Sequence, residues 1–239
     1  MNFEEFEKIL NEELKDIKIE LNKEQIVKFY EYMNLLIEWN SKINLTAIIE
    51  PKEIILKHFI DSLTINQHFK DAKTIADIGT GAGFPGIPLK IANENIEMTL
   101  IDSLNKRVNF LNTVIEKEKL DKIEALHARV EEIGHNKMYR EKFDVVTSRA
   151  VAKLNVLAEY MLPFVKVGGK CICLKGPNVY DEIDEAKNAM KILGGEIESV
   201  EELVLPHSDI KRTIIIIKCV EQLPNKYPRK PCTPSIDPL

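Results

Sequence analysis

Three carboxylates stand where short apolar runs end: Asp77, Asp102 and Glu131. Between the first of them and a helix lies Asp77-Ile78-Gly79-Thr80-Gly81-Ala82-Gly83-Phe84-Pro85-Gly86. Glycine removes the side-chain barrier, so such a loop can turn tightly and lie against a ligand. Gly81-x-Gly83-x-x-Gly86 satisfies the dinucleotide fingerprint literally, but that fingerprint works by presenting free N–H groups at a helix start to a diphosphate. Here Pro85 has no N–H, Phe84 places a bulky ring in the loop, and the Asp77 carboxylate would repel a diphosphate. A carboxylate suits a cationic ligand, and S-adenosylmethionine carries an ammonium and a sulfonium. Its amino-acid end can lie across Gly79 and Gly81 near Asp77, with the adenosine running toward the next strands. Asp102 can accept hydrogen bonds from ribose hydroxyls, a feature shared with dinucleotide binders. At Val130-Glu131, backbone N–H groups or the carboxylate can read the adenine edge. Alone, Glu131 reads as a solvated acid at a helix start; in line with Asp77 and Asp102 it completes a methyl-donor pocket.

The group after the fourth strand faces a transferred methyl, and there the chain reads Thr147-Ser148-Arg149-Ala150. This is not the Asn- or Asp-Pro-Pro-aromatic motif that accepts protons from exocyclic amines of bases. Cytosine C5 chemistry needs a thiolate, whereas Cys171 and Cys173 lie two apart inside a strand and face one side of the sheet as small apolar residues. His58, His68, His127, His135 and His207 show no ligand spacing and read as surface or core residues, so no metal site is expected. An acceptor that needs no base fits what is left. Guanine N7 is one, since its lone pair is unprotonated at neutral pH and catalysis is then mainly alignment.

The elements that must position these groups fall into two parts. Residues 1–70 read as a helical cap: Phe3, Phe6, Ile9, Leu10 and Leu14 recur at helical spacing, and a second helix is predicted from Asn22, a plausible N-cap, to Trp39, with Ile26, Phe29, Tyr30, Met33, Leu36 and Ile37 on its apolar side. Asn40-Ser41 is predicted to end it, and Pro51 to open a third helix carrying Ile54, Ile55 and His58. Residues 71–222 alternate strand and helix, with strands predicted at 74–78, 97–101, 123–126, 143–147 and 170–174. That alternation implies an α/β fold with a mostly parallel sheet and helices on both faces. Two successive strands, 198–205 and 212–220, imply an antiparallel edge hairpin, making seven strands in all. Residues 223–239 are proline-rich and predicted to be extended.

The chain has 239 residues, is 44% hydrophobic and 30% charged, and carries a net charge of −5, so a packed core is expected and a generally basic nucleic-acid binder is not. No apolar run is long enough for a membrane span. The acidic start from Met1 to Glu13 is unlike a signal peptide, and four cysteines without CxxC spacing fit a reducing cytoplasm.

Taken together, several segments resemble the glucose-inhibited division protein B family, the bacterial small-subunit ribosomal RNA guanine-N7 methyltransferases. These are Trp39-Asn40-Ser41-Lys42-Ile43-Asn44-Leu45-Thr46, Lys57-His58-Phe59-Ile60-Asp61-Ser62-Leu63, the loop from Asp77 to Gly86, Asp102-Ser103-Leu104-Asn105-Lys106-Arg107, Ser148-Arg149-Ala150 and Tyr227-Pro228-Arg229-Lys230-Pro231. The resemblance implies a class I, Rossmann-like methyltransferase fold, S-adenosylmethionine as cofactor, and N7 of a guanine in 16S ribosomal RNA as acceptor. The partner would be 16S ribosomal RNA or the small ribosomal subunit, with no membrane and no metal. It implies that Gly79, Phe84, Val130, Glu131 and Arg149 contact the cofactor, beside Gly81 and Asp102 read from the loop and strand end; no catalytic base is implied. Cys232 stands where the family is expected to have glycine. A local basic face is expected from Lys106, Arg107, Arg149, Lys153, Lys175, Lys211 and Arg212; Arg149 would bind the cofactor carboxylate or an RNA phosphate. Methylation of a metabolite or protein, nicotinamide-dependent redox chemistry and a non-enzymatic ribosome-assembly role stay open as alternatives.

Overall fold

Seven strands form one sheet in the order β3-β2-β1-β4-β5-β7-β6: β1 (Thr74–Ile78), β2 (Glu97–Asp102), β3 (Ile123–His127), β4 (Phe143–Arg149), β5 (Val165–Lys175), β6 (Gly195–Val204) and β7 (Lys211–Cys219). The computed structural model describes residues 1–239. β1 to β5 run parallel, and β7 is antiparallel to both β5 and β6. The hairpin expected at the edge is present, but its second strand inserts next to β5 and leaves β6 outermost. Strand order reverses between β1 and β4, which opens a crevice at their carboxyl ends.

Period-two alternation decides what covers each face. Ile214 and Ile216 bury on the same side as Ile75, Leu100 and Val145, beneath the N-terminal helices. Ile215 and Ile217 bury on the other side with Ala76, Val146, Cys171 and Cys173. A strand covered on both faces needs no polar alternation, which is why Ile214–Ile217 reads as an unbroken apolar run. Each buried isoleucine contributes about 1.5–3 kcal/mol. Cys171 and Cys173 are fully buried, as their spacing predicts, and burial pushes the Cys173 thiol up to about 12.

Helices α1 (Phe3–Asp16) and α2 (Lys23–Ile43) lie over the first face. Asn22 caps α2 in a reciprocal box: its side chain accepts from the Gln25 N–H while Gln25 Oε1 accepts from the Asn22 N–H at 2.8 Å. Contrary to the sequence expectation, α2 does not stop at Asn40-Ser41. It runs on to Ile43 and closes at Asn44, whose φ of 50° is left-handed. The Asn40 side chain instead accepts from the Thr46 N–H at 2.8 Å and so shapes the following loop. On α2 the fully buried aromatic neighbours are Phe29 and Tyr32; Tyr30, assigned to the apolar side from spacing, is only half-buried, with its ring edge-on to Phe3 and Phe6. The next helical stretch comprises α3 (Pro51–Ile54), a π-helical turn (Ile55–Ile60) and α4 (Asp61–Leu63). Then α5 (Gly86–Ala92) and α6 (Asn105–Lys117) follow β1 and β2 on this face, and the short α7 (Val130–Ile133) follows β3. The second face is covered by α8 (Leu154–Met161), α9 (Tyr180–Glu185) and α10 (Lys187–Leu193), together with Leu223 and Tyr227 of the C-terminal segment, which ends in α11 (Thr233–Ile236). No helix is long and apolar enough to cross a membrane.

The glycine loop between β1 and α5 is fastened from below by Asp77. Its Oδ2 accepts from Thr80 Oγ1 at 2.6 Å and from the Gly86 N–H at 2.9 Å. Gly86 can come this close because it lacks a Cβ, which would sit 2.8 Å from Asp77 Oδ2 and 2.4 Å from Leu100. The carboxylate is therefore fully buried and does not line the cavity at the strand ends, whereas the sequence had suggested that it would flank a ligand there. The side-chain alternation of β1 turns it to the first face, under the loop. Its Oδ1 has no hydrogen-bond partner, and burial raises its pKa from 3.8 to about 6. The folded state thus favours the protonated form. The resulting stabilisation is fully present below a pH of about 4 and is lost as pH rises through about 6. Asp77→Asn has no such dependence, so its stability relative to the parent should improve by on the order of 3 kcal/mol between pH 4 and pH 7.5. Paired urea titrations at the two pH values measure this, and parallel pH profiles would refute it.

Candidate active site

A cavity of about 490 Å³ opens across the carboxyl ends of β1 to β4. It is lined by Gly79 and Gly81 after β1, Asp102 and Ser103 at β2, Ala128–Glu131 after β3, and Arg149–Val151 after β4. Seven sequence-predicted residues, Gly79, Gly81, Phe84, Asp102, Val130, Glu131 and Arg149, all reach it; Asp77 does not. Gly79 has φ of 67°, and a Cβ there would lie 2.6 Å from Val151 Cγ2, so only glycine fits this wall without displacing its neighbour.

Most loop amides are already engaged within the protein. Gly79 and Thr80 donate to the Ile101 carbonyl, Gly83 and Phe84 to the Thr80 carbonyl, and Gly81 to Asp102 Oδ2 at 2.9 Å. Ala82 alone between residues 79 and 84 leaves its N–H without an acceptor. A diphosphate cradle needs several convergent free amides, and this loop has only that of Ala82. The loop is closed from above by Tyr32, whose buried hydroxyl donates to the Ala82 carbonyl.

Asp102 is 3% exposed and accepts three hydrogen bonds, from Gly81 and Leu104 N–H groups and from Arg107 Nη1. Oδ1 carries only the Leu104 bond, so one further donor can be accepted there; a second on Oδ2 requires Arg107, at 3.3 Å, to swing away. Glu131 is 6% exposed and takes the Cys232 N–H on Oε1 at 3.1 Å.

At the opposite end Arg149 bridges the sheet and the cap. Nη1 donates to the Lys57 carbonyl and to Asp61 Oδ2 at 3.1 Å, and its guanidinium carbon sits 5.0 Å over the Phe84 ring. Asp61, itself 2% exposed, also accepts from Arg212 Nε at 2.9 Å on its other oxygen. Burial disfavours the Arg149 charge, and Asp61 opposes that shift. His58 stacks on Phe84 with ring centroids 4.3 Å apart. His58 Nδ1 lies 3.1 Å from Arg149 Nη2 and 3.2 Å from the Lys57 carbonyl, and Nε2 lies 2.9 Å from Thr46 Oγ1; with the proton on Nε2, Nδ1 accepts from the guanidinium, and with it on Nδ1, Nε2 accepts from the Thr46 hydroxyl. Burial, with the Arg149 charge beside it, lowers the His58 pKa to about 3. The imidazole is neutral with both nitrogens engaged.

Sequence reasoning missed Tyr32, Thr46, His58 and Asp61. His58 and Asp61 fall in a segment singled out only by resemblance, and Arg149 lies 88 residues beyond Asp61. The π-helical turn that carries His58 has no periodic signature that would reveal it.

The basic residues divide. Lys106 and Lys211 are exposed, Arg107 leans on Asp102, and Arg149 and Arg212 share Asp61. Lys153 pairs at the surface with Glu185, and Lys175 turns inward to Glu182 and the Ala152 carbonyl. No three His, Cys, Asp or Glu side chains converge on a point that could hold a metal ion.

Comparison with known proteins agrees with this geometry. Residues 25–214 match the family model GidB, described as rRNA small subunit methyltransferase G. The ribosomal RNA small subunit methyltransferase G of Alkaliphilus oremlandii is 50% identical over 237 residues, covering 98% of this chain and 99% of the relative. Among solved structures, the ribosomal protein L11 methylase of Lactobacillus delbrueckii subsp. bulgaricus aligns with a TM-score of 0.52 at 13% identity, covering 69% of this chain and 79% of its own. M. jannaschii TYW2 in complex with AdoMet aligns with a TM-score of 0.50 at 14% identity, covering 66% and 74% respectively. The likeness to these structures is one of fold, the α/β Rossmann-like fold of class I methyltransferases. Sheet order, cavity and sequence match lead to one assignment: the chain belongs to the rRNA small subunit methyltransferase G family.

Proposed function

We propose that this protein transfers a methyl group from S-adenosylmethionine to N7 of a guanine in 16S ribosomal RNA, acting in the cytoplasm on RNA or on the small ribosomal subunit. The donor would lie across the strand ends, with its amino-acid end at Gly79 and Gly81, a ribose hydroxyl on Asp102 Oδ1 and the adenine between Val130 and Glu131. The M. jannaschii structure of the same fold carries AdoMet, and a loop with the Ala82 N–H as its single free amide argues against a diphosphate in its place. Beside the donor cavity, and sharing His58, Arg149 and Ala150 with it, is a second hollow of about 390 Å³ lined also by Lys57, Lys175 and Arg212. Its basic rim suits a phosphate-bearing acceptor, and Asp61 tempers that charge from within.

The observation that carries the N7 reading is the state of His58. It is the one imidazole at the junction of the two hollows, and neither nitrogen has a lone pair free to accept a proton. Base-free attack needs none. The N7 lone pair forms the new bond to the methyl carbon, the carbon–sulfur bond breaks with its pair going to sulfur, and the positive charge passes from sulfonium to the purine. No proton moves. Alignment of donor and acceptor supplies the catalysis, roughly 7–11 kcal/mol in favourable cases.

Small subunits lacking the modification, incubated with the protein and labelled S-adenosylmethionine, should gain N7-methylguanine at one site when the RNA is cleaved chemically at that base. Label confined to protein or to small molecules would favour the alternative reading, a metabolite or protein methyltransferase. His58→Gln should lower kcat by less than about tenfold and leave its pH profile flat. Loss of a general base would instead cost on the order of 10²–10⁴ and change the profile; that result would refute base-free attack.

A further inference from the structure

The C-terminal segment returns across the second face of the sheet to the far end of the donor cavity. Its course is fixed by a series of contacts. Arg140 Nη1 donates to the Tyr227 carbonyl at 2.8 Å, and His135 Nε2 lies 2.7 Å from the Pro228 carbonyl. Arg229 donates from its backbone N–H to Glu159 Oε1 and from Nη2 to Oε2, both at 2.7 Å, and Glu159 is fully buried. Glu159 directly precedes Tyr160, a wall of the cavity beside Glu131. The strap then turns at Cys232, whose φ of 69° is left-handed, and delivers the Cys232 N–H to Glu131 Oε1 at 3.1 Å. Glu131 Oε2 accepts no hydrogen bond from the protein, although the residue is 6% exposed and lines the cavity.

We propose that this strap is a positioning element for the purine of the donor: by occupying one oxygen of Glu131 through a backbone N–H, it turns the other into the cavity as an acceptor for an exocyclic amine. A carboxylate held by one fixed donor cannot rotate freely. A buried acceptor left facing the cavity rewards a ligand that donates to it and penalises one that presents a carbonyl. The strap thereby sets discrimination between a 6-amino and a 6-oxo purine, although none of its own side chains need touch the ligand. This inference rests on the S-adenosylmethionine reading of the cavity.

The test is calorimetric titration with S-adenosylhomocysteine and with S-inosylhomocysteine, which carries a carbonyl in place of the amine. The full chain should favour the adenosyl ligand by on the order of tenfold or more. In Glu131→Gln the strap N–H still claims the side-chain oxygen, so the amide nitrogen must face the cavity and the preference should reverse toward the inosyl ligand. A chain ending at Pro231 keeps the Arg229–Glu159 and His135–Pro228 contacts but loses the Cys232 donor. It should bind the adenosyl ligand on the order of tenfold more weakly while binding the inosyl ligand within about twofold of the full chain. Cys232→Gly keeps the N–H and suits the left-handed turn, so its discrimination should match the parent. Parallel weakening of both ligands in the shortened chain, a retained adenosyl preference in Glu131→Gln, or lost discrimination in Cys232→Gly would each overturn the role of the strap. A full chain that binds neither ligand would overturn the reading of the cavity itself, and the strap inference with it.

Discussion

An open hollow at the end of a parallel sheet can exist only if the loop that bounds it holds its shape from within. Here that constraint is met by engaging the glycine loop's polar groups inside the protein. Asp77 ties Thr80 and Gly86 from beneath, Asp102 ties Gly81 from the side, and Tyr32 ties the Ala82 carbonyl from the cap. The arrangement carries a cost, since Asp77 is a buried carboxyl with one oxygen unpartnered. It fixes what the loop can receive. A wall with its N–H groups already engaged has little to offer a diphosphate and is compatible with a cationic donor.

The cap does more than cover apolar surface. Phe29, Tyr32 and Phe59 stack toward Phe84, and Phe84 in turn carries His58 and the Arg149 guanidinium on its ring. Asp61, also from the cap, accepts from Arg149 and Arg212, which arise from two different strands. One buried carboxylate with two guanidiniums leaves a net positive centre at the junction of the two hollows. Burying a charge is tolerable only when it is paired and hydrogen-bonded, and both conditions are met. A chain with a net charge of −5 therefore still keeps a cluster of cationic groups at the junction of the two hollows.

What could be read without coordinates was whatever local periodicity and backbone chemistry encode. The seven strands, the parallel order broken by a final hairpin, the helical cap and the Asn22 N-cap all follow from spacing and residue type within a few neighbours. So do the placements of Asp102 at the end of β2 and of Glu131 just beyond β3, which is why both line the cavity. Errors arose where a local rule met a tertiary demand. Asn40-Ser41 looks like a helix stop, yet Asn40 serves the loop at Thr46 and α2 continues to Ile43. Asp77 looks like a ligand carboxylate, yet strand alternation turns it under the loop.

The sequence alone determined the fold class, the glycine loop and the row of strand ends on which a donor would lie, because these depend on periods of two and 3.6 residues and on the special backbone freedom of glycine. Tertiary structure alone decided that Tyr32, His58 and Asp61 from the cap meet Phe84 and Arg149, and that Cys232 from the tail meets Glu131 across 101 residues of chain. A periodic pattern states which face of an element is buried. Which distant element comes to cover that face is settled only when all the apolar faces and charges are paired at once in three dimensions.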